Sequence, residues 1–182
     1  MQKRRKILFV ILFIFLVVGT VFFWLMRGHK MMDAEITASN GSHYRMKLPG
    51  DLEPSHTNDS AASLEYGNAK RQLYVEVISE SKAKIISFGL DYDLDTYMKI
   101  ATRQLDNEGL YVNTPVTING YQALQADIVP KNKNEKNIHY KLTCLETPRF
   151  FYRVVTYTPV SALESSKSDM DLIVNSFKEV DK

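Results

Sequence analysis

Cysteine is almost absent from this sequence: Cys144 stands alone, so neither an intramolecular disulfide nor a multi-cysteine zinc site can form. Glycine is sparse too. The 8 glycines of the 182 residues form no phosphate-cradling loop and no dinucleotide fingerprint, and no Gly-x-Ser-x-Gly turn is present. His29, His43, His56 and His139 are too scattered for a local metal motif such as two imidazoles one helical turn apart. A basic excess is also missing where a nucleic acid would need it. Of the 23 Lys and Arg, Lys3, Arg4, Arg5, Lys6, Arg27 and Lys30 lie near the start, leaving 17 against all 21 Asp and Glu from residue 31 onward, a net charge of about −4. The electrostatic argument for a nucleic-acid partner disappears, and none is expected. Lys131, Lys133 and Lys136 alternate with Asn and Glu135 and read as a solvated turn.

Charge is wholly lacking from Ile7 to Met26. A helix of that length spans about 30 Å, the thickness of a hydrocarbon core, so membrane lipid is the expected partner of this segment. Its apolar character runs through Val21, Phe22, Phe23 and Trp24, beyond the small pair Gly19-Thr20, whereas a cleaved signal has a shorter apolar region ending in small residues. No cysteine follows to make a lipoprotein. The sequence therefore predicts an uncleaved anchor over residues 7–26. Lys3 to Lys6 outnumber Arg27 and Lys30, which puts residues 1–6 in the cytoplasm and everything after the span outside, periplasmic or extracellular.

Residues 27–42 read as a tether with a short strand at Glu35 to Ala38, and residues 43–179 as one exported domain. Tyr44 to Leu48 alternates and stops at Pro49-Gly50, as an edge strand would. Asp51 to Ala62 is polar and reads as a loop. Ser63 to Tyr66 and Gln72 to Ser79 form a hairpin, with Leu73, Val75 and Val77 on one face of the second strand and Tyr74, Glu76 and Glu80 on the other. Asp93 to Glu108 has helical spacing at Leu94, Tyr97, Met98, Ala101 and Leu105. Tyr111 to Ile118 and Tyr121 to Val129 flank Asn119-Gly120, a strong hairpin signal. Ile138 to Glu146 pairs with Phe150 to Tyr157, and a last helix ending at Phe177 carries Met170, Ile173 and Val174 on one stripe. Antiparallel hairpins with segregated helices indicate an α+β domain.

Four segments in this order carry a family likeness: Tyr44-Arg45-Met46-Lys47-Leu48-Pro49, Ile118-Asn119-Gly120-Tyr121-Gln122-Ala123, Phe150-Phe151-Tyr152-Arg153-Val154 and Ile173-Val174-Asn175-Ser176-Phe177. Residues 43–179 resemble the PsbP and Mog1-like superfamily, which includes bacterial envelope proteins. The resemblance implies an antiparallel sheet flanked by helices and a role in binding proteins rather than in catalysis. Leu52 departs from the tryptophan many members place after the opening proline. No binding residue of the family maps onto a position here.

The candidate chemistry is thin. Cys144 shares a strand face with Ile138, Tyr140 and Leu142, whereas His139, Lys141 and Thr143 point the other way, so a buried structural thiol is preferred to a nucleophile. Asp91, Asp93 and Asp95 open like a calcium loop, but Thr96 and Thr102 stand where it requires glycine and glutamate. Helix capping is the preferred reading, with a weak cation site as the alternative. Tyr74 and Tyr92 are candidate interface anchors, set against placement in the core or under a helix. No catalytic, cofactor or metal residue is assigned. The expectation is a membrane-anchored, non-catalytic module with a protein partner. A carrier or sensor of a small apolar ligand would need a cavity between sheet and helix. A hydrolytic enzyme would need His139, Lys141 and Glu76 to converge.

Overall fold

A computed structural model describes residues 30–55, 61–106, 111–130 and 137–180. The predicted span 7–26, its cytoplasmic flank and the lysine turn 131–136 lie outside these residues. Among the described residues no helix is long and apolar enough to cross a membrane.

Among the described residues ten strands form two antiparallel sheets. The smaller contains β1 (Met31–Thr37), β2 (His43–Pro49) and β10 (Lys178–Glu179), in the order β1-β2-β10. The larger is ordered β3-β4-β5-β9-β8-β7-β6. Its strands are β3 (Glu53–Pro54), β4 (Ala62–Asn68), β5 (Leu73–Ser81), β6 (Thr114–Ile118), β7 (Tyr121–Ile128), β8 (Ile138–Glu146) and β9 (Phe150–Pro159). Three α-helices complete the domain: α1 (Lys82–Ser87), α2 (Leu94–Leu105) and α3 (Leu163–Asn175). This is the predicted α+β class.

Two expectations are corrected. The chain enters the fold at Met31, because β1 pairs with β2 over its whole length from Met31↔Pro49 to Thr37↔His43, so residues 31–37 of the expected tether are strand. For the same reason β2 is central in its sheet, with β10 on its other side through Lys178↔Arg45. Pro49 is tolerated because it is the last residue of β2, where a missing donor costs little.

The alternation of each strand divides the interior into two cores. On one face of the large sheet, Leu73, Val75, Val77, Tyr152 and Val154 meet Tyr44, Met46 and Leu48 of β2 and Met170, Ile173 and Val174 of α3. On the other, Phe151, Val155, Leu142, Cys144, Leu124 and Ala126 meet Leu94, Tyr97, Met98 and Ala101 of α2. Cys144 thus lies where the strand pattern puts it, fully buried, and burial pushes its thiol up to about 12.

The segments that carry the family likeness converge. Tyr44, Tyr152 and Phe177 form one ring cluster, with centroids 5.5, 5.5 and 4.8 Å apart, and Tyr121 meets Phe177 edge-on at 6.5 Å. Such pairs contribute about 0.5–1.5 kcal/mol each beyond their buried area. The likeness therefore rests on core packing.

Candidate functional site: a groove along β5

α2 packs on β7, β8 and β9, and the short helix α1 meets β5. The face of β5 beside α1 and α2 is hollowed at two places. β5 presents Glu76, Ile78 and Glu80 on it, because alternation sends Val75, Val77 and Ser79 into the opposite core.

At Ser81 the strand becomes helix. The Ser81 Oγ accepts the Lys84 N–H at 3.4 Å and caps α1, a helix with no buried residue. It stops at Gly89, whose φ of +74° is left-handed and returns the chain sharply toward α2. The consequence is an exposed apolar cluster: Ile86, Phe88 and Leu90 are 63%, 69% and 44% exposed. Phe88 and Leu90, with Ile78, Ile85 and Tyr92, line a hollow of about 360 Å³, whose lining also includes Glu80 and Lys84. Asn40 closes one side, its Nδ2 donating to the Ser79 carbonyl at 2.7 Å. No strand or helix was expected between Ser79 and Asp91, so this cluster was missed. Its signal was the run Ile85-Ile86-Ser87-Phe88-Gly89-Leu90.

A second hollow, about 270 Å³, is lined by Glu76, Arg153, Val155, Tyr140 and Tyr157 of the sheet and by Gln104 and Leu105 of α2. The Arg153 guanidinium donates to the Gln104 side-chain carbonyl. Glu76 and Ile78 are successive residues on one face of β5, so the two hollows lie end to end along that strand. Tyr74, Tyr157 and Tyr140 occupy one rung across β5, β9 and β8. The Tyr74 and Tyr157 rings stack with centroids 5.0 Å apart, and Tyr140 meets Tyr157 tilted at 5.4 Å. Burial, then nearby Glu76, push the Tyr157 hydroxyl up to about 12. These cross-strand ring contacts stabilise the sheet.

The remaining candidates do not assemble into chemistry. His139 and Lys141 point to the opposite face of the sheet from Glu76, where His139 meets Asp127 at 2.9 Å and Lys141 pairs with Asp171. Asp93 caps α2: its Oδ1 accepts the Thr96 N–H at 2.7 Å, and the bonds from Thr96 hold its carboxyl below the usual range. Asp91 and Asp95 are exposed beside it. Among the described residues no group of His, Cys, Asp or Glu is disposed to hold a metal ion. Tyr92 is half-buried against the α2 core and lines the first hollow.

Among solved structures, the cyanobacterial PsbP protein CyanoP from Synechocystis sp. PCC 6803 superposes with a TM-score of 0.56 at 10% identity, over 85% of this chain and 95% of its own. The domain has the PsbP/Mog1-like fold. LpqN of Mycobacterium tuberculosis gives 0.52 at 12% identity over 86% of this chain and 95% of its own, and a variant of Mog1 gives 0.52 at 13% over 84% and 98%. At these identities the likeness is one of fold. No family model and no curated protein matches the chain. Within the PsbP/Mog1-like fold, the four segments noted in the sequence build the core on the β2 side, and the groove along β5 lies on the other face.

Proposed function

We propose that this chain is a non-catalytic protein-binding or assembly module, held at the extracytoplasmic face of a cytoplasmic membrane by residues 7–26. The observation that carries the binding reading is the exposure of Phe88 and Leu90 in the lining of the first hollow, with Ile86 exposed two residues before Phe88. Contiguous exposed apolar side chains with a polar rim mark interaction sites, and an aromatic ring is the usual anchor of an interface. Neighbours of the same fold lend support: one, LpqN, is described as involved in cell envelope biogenesis. The anchor would confine the module to a surface and raise its effective concentration toward a membrane partner.

A carrier of a small apolar ligand is the second reading, since about 360 Å³ falls within the range of ligand pockets. The hollow is an open groove with Glu80 and Lys84 in its lining, which suits a protein segment better than a free apolar molecule.

The test is photo-crosslinking in living cells from an unnatural residue at position 88 of the full chain. Position 112 serves as control, because Val112 is 85% exposed just before β6, at the other edge of the large sheet. A defined envelope protein captured from 88 and not from 112 supports the reading; capture of lipid alone from 88 refutes it. Orientation is tested separately. Protease added outside spheroplasts should digest the domain, and protection of the whole chain would overturn the placement.

A further inference from the structure

The charges around the first hollow specify the chemistry of its occupant. We propose that the apolar patch of Phe88 and Leu90 receives a basic segment of a partner protein, one that places an apolar side chain between lysines or arginines; this rests on the protein-binding reading above. Glu80 is in the lining, with the Tyr97 hydroxyl beside its carboxylate; Asp91 lies between the lining residues Leu90 and Tyr92 in sequence, and Asp93 and Asp95 follow at the start of α2, all four exposed. Lys84 is the basic residue among the lining. Lys82, beside it in sequence, is engaged with Glu146 at 2.6 Å, and Arg153 turns to Gln104 in the neighbouring hollow.

The positive end of the α2 dipole absorbs part of the charge on Asp93 and Asp95. Glu80 and Asp91 precede the helix, so its dipole leaves their charge beside the apolar cluster. A carboxylate pressed against an apolar or anionic occupant would lose its hydration with nothing in return, whereas a lysine or arginine replaces that hydration with a charge-assisted hydrogen bond. An anionic phospholipid surface is disfavoured by the same argument. The groove also has the length for an extended segment: from Tyr74 to Glu80 the strand covers about 20 Å.

The experiment uses the full chain in phosphatidylcholine nanodiscs, with Trp24→Phe and Phe88→Trp so that one indole reports on the patch. The probes are two short peptides in which leucine alternates with lysine or with glutamate. The lysine peptide should shift the indole emission to the blue and bind about tenfold or more tightly than the glutamate peptide, as expected when rim charges are complementary. Glu80→Lys with Asp91→Lys should reverse that preference, and the milder Glu80→Gln with Asp91→Asn should abolish it. Equal binding of both peptides, an unchanged preference in the charge-reversed chain, or a blue-shifted indole in nanodiscs without peptide would each overturn the proposal. Crosslinking from position 88 in cells reads protein binding without reference to charge. A crosslink that survives the charge reversal removes this inference and leaves the broader reading standing; absence of any protein crosslink removes both.

Discussion

The side-chain amide of Asn119 donates to the backbone carbonyl of Phe177 at 2.8 Å, and to that of Asn175 at 3.0 Å. Asn119 and Gly120 have φ of +48° and +91°, the left-handed pair that closes a two-residue hairpin between β6 and β7. One residue thus turns the hairpin and satisfies carbonyls at the end of α3 that the helix itself leaves open.

Asn119→Ala should therefore destabilise the domain by about 1–2 kcal/mol, the sum of a strained turn and lost capping bonds. Asn119→Gly keeps the turn conformation and loses only the bonds, so its cost should be smaller. Urea unfolding of the three chains checks the order; a glycine variant as stable as the natural chain would show that the contact with α3 contributes nothing, and equal stability of the alanine and glycine variants that the turn is unstrained.

Gly67 lies opposite Tyr74 across β4 and β5, and a Cβ at position 67 would stand 2.4 Å from the tyrosine ring. That ring is fixed by its stack on Tyr157. Gly67→Ala should cost about 1–3 kcal/mol, as overpacking does. In the background of Tyr74→Ala the same substitution should cost much less, and a double-mutant cycle measures the difference. Additive losses would mean that the two residues do not act on each other.

Cys144 is predicted to resist thiol labelling in the folded domain and to react once the domain is unfolded, since burial removes both access and thiolate. Cys144→Ala should cost about 1 kcal/mol and leave crosslinking from position 88 intact. Cys144→Arg should be far more damaging, because it would place an unpaired charge between Leu142, Val155 and α2. Rapid labelling of the native protein would reverse the structural assignment and reopen the question of a nucleophile.

What could be read from the sequence was what period alone decides. The apolar stripe of Leu94, Tyr97, Met98 and Ala101 and the alternation of Leu73, Val75 and Val77 placed α2 and β5 correctly, because burial on one side fixes each pattern. The likeness carried by Tyr44, Tyr121, Tyr152 and Phe177 was legible for a related reason: these rings pack on one another, so their identities are constrained together. The groove was not legible. α1 buries none of its residues, so no amphipathic period marks it, and it is a six-residue helix held by a serine cap and a left-handed glycine. β10 was missed because its two residues are in place only through pairing with β2 and the bond from the Tyr152 hydroxyl to Glu179 at 3.0 Å. Such long-range partners leave no local signal.

Alkaline pH should weaken the fold, and the sign follows from the direction of the shifts. Burial raises the Cys144 thiol from an ordinary value of 9.0 to about 12 and the Tyr157 hydroxyl from 10.0 to about 12. In the unfolded chain these groups lose their protons near the ordinary values, so between about pH 9 and 12 the folded state holds more protons than the unfolded one. Stability contributed by the neutral buried groups is thus complete below about pH 9 and is lost progressively as pH rises toward 12. Burial also raises the hydroxyls of Tyr44, Tyr97 and Tyr152, which act in the same direction at higher pH. A single buried thiol that keeps its proton contributes a slope of about 1.4 kcal/mol per pH unit. Urea midpoints measured in steps from about pH 8 to 11 should fall for the natural chain and fall less steeply for Cys144→Ala, with the two curves diverging above about pH 9. Parallel curves would show that Cys144 ionises in the folded state as readily as in the unfolded chain, and its burial beneath α2 would then be wrong.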